Sequence, residues 1–205
     1  MMGKWKKAAA AFCCGLLLFI ACCGCDQKNT WEETPPGPMK SITRTCGEYT
    51  LTCDIPEDWE PFTCSVAGTT IIPSRLLDSG EDYTVEDTIS ILRYDFSPDE
   101  KEVTQALFEE DTEPFQTFFK QTIERAQGYK VDHFSFSFDD TDAGKLVTVE
   151  YDLTVPEETF VVYHYVECYL EDMPYCVSGA QNEDFEISPH LFVPWIAKTL
   201  ECTPS

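Results

Sequence analysis

Apolar positions along this chain change period several times, and each change marks an element. The earliest block is continuous rather than periodic: Ala8 to Ala21, with Leu16, Leu17, Leu18, Phe19 and Ile20, preceded by Lys4, Lys6 and Lys7. About 14 apolar residues fall short of the roughly 20 that a membrane-spanning helix needs. Strict alternation begins at Glu48 to Ile55, where Tyr49, Leu51, Cys53 and Ile55 interleave with Thr50, Thr52 and Asp54, and predicts a strand. It stops at Pro56, before a turn at Glu57-Asp58-Trp59. Thr88 to Asp95 is a second strand candidate, carrying Ile89, Ile91, Leu92 and Tyr94.

The period then becomes helical. Ser97-Pro98-Asp99-Glu100 has the form of a capping box with proline in the first turn, so a helix is expected from there to about Phe108. Pro114 opens another. Phe115, Phe118, Phe119, Ile123 and Ala126 recur at three- and four-residue steps, one apolar stripe read as core packing, and Gly128 stands where a C-terminal cap belongs.

Three strands follow in succession. Val131 to Phe138 places Phe134, Phe136 and Phe138 on one face, and Thr141-Asp142-Ala143-Gly144 supplies turn residues. Leu146 to Leu153 groups Val147, Val149, Tyr151 and Leu153. Phe160 to Leu170 is apolar on both faces, with Val162, Val166, Cys168 and Leu170 on one and Val161, Tyr163, Tyr165 and Tyr169 on the other. Such a strand belongs inside a sheet covered on both sides. A turn near Glu171-Asp172-Met173 returns the chain through Tyr175 to Ser178. A closing helix is expected around Pro194 to Glu201, with Trp195, Ile196 and Leu200 inward. Hairpin-joined strands with helices grouped around them indicate an α+β domain, an antiparallel sheet flanked by helices.

The basic start and the short apolar block have the form of an export signal, to be excluded from fold reasoning. Leu18-Phe19-Ile20-Ala21-Cys22 resembles the lipobox of bacterial lipoproteins, which makes Cys22 the expected diacylglycerol acceptor; Cys25, preceded by Gly24, is the alternative. The expected organisation is a signal peptide over 1–21, a lipidated terminus and flexible tether over 22–44, and a globular domain over 45–205. Pro35, Pro36 and Pro38 suit an extended spacer over 26–40, about 15 residues that reach roughly 50 Å. The expected location is outside the cytoplasmic membrane, held there by lipid.

Composition narrows the partners. The 37 acidic residues against 14 basic ones give a formal charge of −23, more negative still without the leader's lysines. Such a field repels nucleic acid and anionic headgroups. Aromatic residues at 13% argue for a packed core rather than disorder.

Six cysteines remain beyond the leader: Cys46, Cys53, Cys64, Cys168, Cys176 and Cys202. In an exported protein they are candidates for disulfides, with the pairing open. Asp140 and Asp142, followed by Gly144, faintly echo a calcium loop, but Glu150 is not at its twelfth position; a solvated hairpin turn is the expected role, and no cofactor is expected. The histidines are His133, His164 and His190. None adjoins a nucleophile elbow or an HExxH helix, and His164, on a largely apolar face, reads as a hydrogen-bonded core residue. The residues therefore suggest no enzyme.

The order of elements resembles the PsbP-like family. Tyr49-Thr50-Leu51-Thr52-Cys53-Asp54-Ile55-Pro56-Glu57-Asp58-Trp59 is similar to its first strand ending in Pro, turn and Trp. Val161 to Val177 resembles its pair of long late strands, and Trp195-Ile196-Ala197-Lys198-Thr199-Leu200-Glu201 its final helix. The resemblance implies an α/β/α sandwich and a non-catalytic binding or assembly role through protein contacts, with the partner unspecified. The alternative is a small-ligand or cation carrier, which a concave pocket lined by Tyr163, Tyr165 and Tyr169 would favour, whereas a flat apolar patch would favour a protein partner.

Overall fold

A computed structural model describes residues 35–79, 88–95, 97–155, 161–181 and 189–205, all within the compact unit Pro35–Ser205. The leader, Cys22 and Cys25 lie outside the described residues.

Strands β1 (Met39–Cys46), β2 (Tyr49–Pro56) and β10 (Glu201–Pro204) form a small antiparallel sheet with β2 in the middle. Strands β3 (Trp59–Ser65), β4 (Gly68–Pro73), β5 (Ile89–Arg93), β6 (Lys130–Thr141), β7 (Gly144–Val155), β8 (Val161–Leu170) and β9 (Tyr175–Gln181) form a larger one in the order β3-β4-β5-β9-β8-β7-β6. Every pairing is antiparallel. The helices are α1 (Ser74–Ser79), α2 (Pro98–Phe108), α3 (Glu113–Gln127) and α4 (Pro189–Thr199). The chain is thus an α+β domain built on a large antiparallel sheet.

The large sheet has a core on each face. Leu51 and Ile55 of β2 and Val193, Ile196 and Leu200 from α4 and its end pack with Ile91, Val166 and Val177 on one side. On the other, Leu107 of α2 and Phe115 of α3 pack with Val147, Val149, Tyr151 and Tyr169. Strand β8 serves both. Val166, Cys168 and Leu170 point into the first core and Tyr169 into the second, as its two apolar faces require. Side chains alternate across a strand, so one central strand can seed two layers.

Helix α2 begins with the expected capping box. Glu100 N donates to Ser97 Oγ at 3.1 Å, and Ser97 N donates to Glu100 Oε2 at 2.8 Å. Helix α3 ends at Gly128, whose φ of +70° is the left-handed conformation that stops a helix. Between the sheets, the Arg93 guanidinium bonds Asp95 at 2.5 Å and Glu48 at 2.8 Å and lies over the Tyr49 ring. That guanidinium holds the Asp95 carboxyl below its usual range.

Several expectations need correction. Residues 39–44, assigned to the tether, belong to β1, which pairs with β2 from Met39↔Pro56 to Cys46↔Tyr49. Its sequence, MKSITRTC, holds few apolar residues because half of its side chains are exposed and Cys46 alone is buried. Strands β3 and β4 and helix α1 were not expected. Pro61 and Gly68 interrupt the pattern there, yet Pro61 sits beside a bulge on an edge strand, the place in a sheet where proline is tolerated. The closing helix starts at Pro189, so Pro194 lies inside it. Glu201, expected as helix, begins β10.

Candidate functional site

The strand positions Tyr163, Tyr165, Glu167 and Tyr169 share one face of β8, and Glu167 is the carboxylate set among the tyrosines. The large sheet brings three donors to it from three strands. Tyr151 of β7 donates its hydroxyl to Oε1 at 2.9 Å, and Ser178 of β9 donates to the same oxygen at 3.3 Å. Tyr169 donates to Oε2 at 2.6 Å. Glu167 is only 7% exposed.

Burial pushes the Glu167 carboxyl above its usual range, and the three donors pull the other way without cancelling that effect. Burial also holds the Tyr151 and Tyr169 phenols and the Cys176 thiol protonated, with the nearby Glu167 charge acting in the same sense. A carboxylate has about four acceptor sites, so three donors leave room for one more partner. Protonated, the same group gains a donor.

Two adjacent cavities meet at this residue. One, of about 200 Å³, lies between α2, α3 and the sheet and is lined by Tyr94, Val103, Phe115 and Tyr169 among others. The second, of about 370 Å³, lies beside α3 over β5, β8 and β9, with Ser90, Tyr165, Ser178 and Ala180 in its wall. Glu167, Leu92, Phe119 and Ile123 line both. Apolar and aromatic walls with a few convergent polar groups are the usual makeup of a small-molecule site. A further hollow of about 490 Å³, bordered by Asp95, Lys101, Glu171 and Asp172, is the larger space. Its charged rim is partly neutralised, through Lys101 at 3.7 Å from Asp95 and the neighbouring Arg93 on the same carboxylate.

Of the tyrosines expected to line a pocket, Tyr165 and Tyr169 do so, whereas Tyr163 packs against the aromatic core and lines neither cavity. Glu167 itself was not expected. Its signal in the sequence is a lone acid in the aromatic row of a doubly covered strand.

The other candidates are placed as follows. His164 is not a core residue. Its side chain is 43% exposed, and Nδ1 meets Asp152 Oδ1 at 2.5 Å while His133 Nδ1 meets Oδ2 at 2.7 Å. A bulge at Asp132/Ser135, with His133 at a φ of 54°, aims that ring at Asp152. Asp140 stands opposite Lys145 in the β6–β7 hairpin, and Asp142 lies in its turn. Among the described residues no three or more His, Cys, Asp or Glu side chains are grouped to hold a metal ion. Cys53, Cys168 and Cys176 are buried and Cys202 half-buried, while Cys46 and Cys64 bring their sulfurs to 2.6 Å.

No protein-family model matches the chain, and no curated protein matches it. Among solved structures it is similar to the solution structure of cyanobacterial PsbP (CyanoP) from Synechocystis sp. PCC 6803, at 11% identity and a TM-score of 0.44, over 83% of this chain and 96% of that one.

Proposed function

We propose that this chain is a lipid-anchored, extracytoplasmic binding module that takes a small, largely apolar ligand over Glu167 and performs no chemistry on it. One observation carries the reading: a buried carboxyl group, held by Tyr151, Tyr169 and Ser178, forms part of the wall of two aromatic-lined cavities. A ligand with an apolar body and one hydrogen-bonding group suits that wall, because the carboxyl selects the polar end while the rings take up the rest. Docking through a flat apolar patch has less support. The exposed large apolar side chains among the described residues, Phe62, Val66, Leu77, Leu92, Val162 and Leu191, come one each from separate strands, helices and a turn.

Filling the cavity tests the pocket. Ser90 lines the cavity of about 370 Å³ beside Glu167, so Ser90→Trp places an indole where the ligand would lie. An anilinonaphthalene dye should saturate the wild-type protein at one site and bind the variant about ten-fold more weakly, a loss of about 1.4 kcal/mol, with the unfolding temperature unchanged. Equal affinity in the variant would rule this pocket out.

The anchor rests on the basic start, the apolar block and the sequence before Cys22. Cells fed an alkyne-bearing fatty acid should label the wild-type chain and the Cys25→Ala variant. Cys22→Ala should lose the label and leave the membrane fraction, since stable anchoring needs more than one acyl chain. Label retained by Cys22→Ala but lost from Cys25→Ala would move the acceptor to Cys25.

A further inference from the structure

We propose that Cys46 and Cys64 are joined by a disulfide in the exported protein, a bond that staples the small sheet to the edge of the large one. Cys46 is the last residue of β1 and Cys64 lies near the end of β3. Their sulfurs are 2.6 Å apart, roughly half an ångström beyond a disulfide bond. Among the described residues no other pair of cysteines brings its sulfurs within hydrogen-bonding distance.

The surrounding backbone holds the pair in place. The Cys64 thiol donates to Thr45 O at 2.9 Å. Gly47, in the β1–β2 turn, is packed so closely on the β3–β4 turn that a Cβ there would stand 3.1 Å from Val66 Cγ1. The tips of two hairpins therefore interlock, with one cysteine on each. The residues are 18 apart in sequence and sit in different sheets, so the bond constrains the arrangement of two layers rather than a single hairpin.

The inference rests on the export proposed above, since disulfides persist in oxidising compartments. The electrons go to the disulfide of an oxidising thiol–disulfide exchange partner. The exposed Cys64, as thiolate, attacks that disulfide and displaces one partner thiolate, giving a mixed disulfide. The Cys46 thiolate then attacks the Cys64 sulfur and expels the second. Two protons leave the cysteines, two electrons reach the partner, and the partner departs as two thiols. Burial and the neighbouring Cys64 push the Cys46 thiol up to about 12, which slows the second step once β1 is packed. Closure thus belongs to folding, and afterwards a reductant reaches the bond from the Cys64 side.

The test uses the full chain, extracted from membranes with its free thiols blocked and digested without reduction. A peptide linking Cys46 to Cys64, lighter by two hydrogens than the sum of its parts, is the expected product. Cys64→Ser, at an exposed position, should abolish it and leave Cys46 open to alkylation on unfolding. The same chain held in an oxidising glutathione buffer separates pairing from compartment. A link formed there but absent from cells supports the pairing and counts against export. Both thiols blocked even in the oxidising buffer, or a link from Cys46 to another cysteine in either sample, overturns the proposal.

Discussion

Replacing Gly68 with alanine is expected to cost about 4 kcal/mol, among the largest losses a single methyl can cause. Gly68 opens β4 and pairs with Leu92 of β5. Its φ is +128°, a conformation side chains rarely adopt, and a Cβ there would overlap the Ile91 carbonyl oxygen and stand 2.9 Å from the carbonyl carbon. The obstacle is backbone of a paired strand, so no rotamer change relieves it. Either β4 moves away from β5, breaking the ladder that leads to β9, or φ shifts and the β3–β4 turn is rebuilt. Backbone strain of this kind costs of order 1–3 kcal/mol, and the lost pairing adds to it. For a domain of this size about 4 kcal/mol lowers the melting temperature by roughly 8–16 °C. Gly37 is the control: a Cβ there would meet nothing within 4 Å, and its φ is not positive, so alanine should change stability little. Urea unfolding of both variants decides the matter: a Gly68→Ala loss under about 1 kcal/mol would mean the β4–β5 register shifts without penalty.

Gly68 also shows why part of the fold was hidden in the sequence. A glycine near a proline and a serine reads as a loop, yet here it is required by the close approach of two strands. Strand β1 was hidden for the opposite reason: its partner β2 carries the apolar face, and β1 contributes mainly backbone bonds and outward polar side chains. Elements whose own side chains fill the core were legible. The stripe of α3, the capping box of α2, the phenylalanines of β6 and the two-faced pattern of β8 each encode their burial locally. Pro194 misled in another way. Proline is favoured near a helix start, but α4 carries it inside, giving up one backbone bond.

The candidate site was half legible. Tyr165 and Tyr169 announce an aromatic face through spacing alone, but no local pattern states that Tyr151 from β7 and Ser178 from β9 converge on Glu167. That depends on the registers Glu150↔Val166 and Glu167↔Ser178, which are set by hairpins on either side of β8. His164 shows the same limit. Its neighbours along the strand are apolar, but its partner Asp152 lies across the ladder, and only pairing reveals that the ring meets a carboxylate rather than the core.

The second large effect is expected at Glu167, and two variants divide its contributions. Glu167→Ala removes the acceptor for two buried phenols and a serine and leaves a void; orphaned buried donors cost about 1–3 kcal/mol each, so a loss of about 4 kcal/mol is expected at acid pH, shrinking as pH rises. Glu167→Gln keeps the shape and an amide oxygen to accept from Tyr151 or Tyr169, and should lose far less. The pH dependence separates charge from shape. Because burial raises the folded carboxyl above its ordinary value of 4.5, the folded state keeps a proton that the unfolded chain has released. That contribution is fully present below the ordinary value and is lost as pH rises through the raised one. Wild-type stability should therefore decline relative to Glu167→Gln across that interval. Acids such as Asp95, whose values are lowered, act oppositely but equally in both proteins, so they cancel in the difference. Parallel curves would show that Glu167 has the same proton affinity folded and unfolded, and a Gln variant as unstable as Ala would show that the site needs a carboxylate rather than an acceptor. Either result would change which end of a ligand could meet this wall: a neutral acid offers a donor as well as an acceptor, whereas a carboxylate offers acceptors alone and would favour a cation.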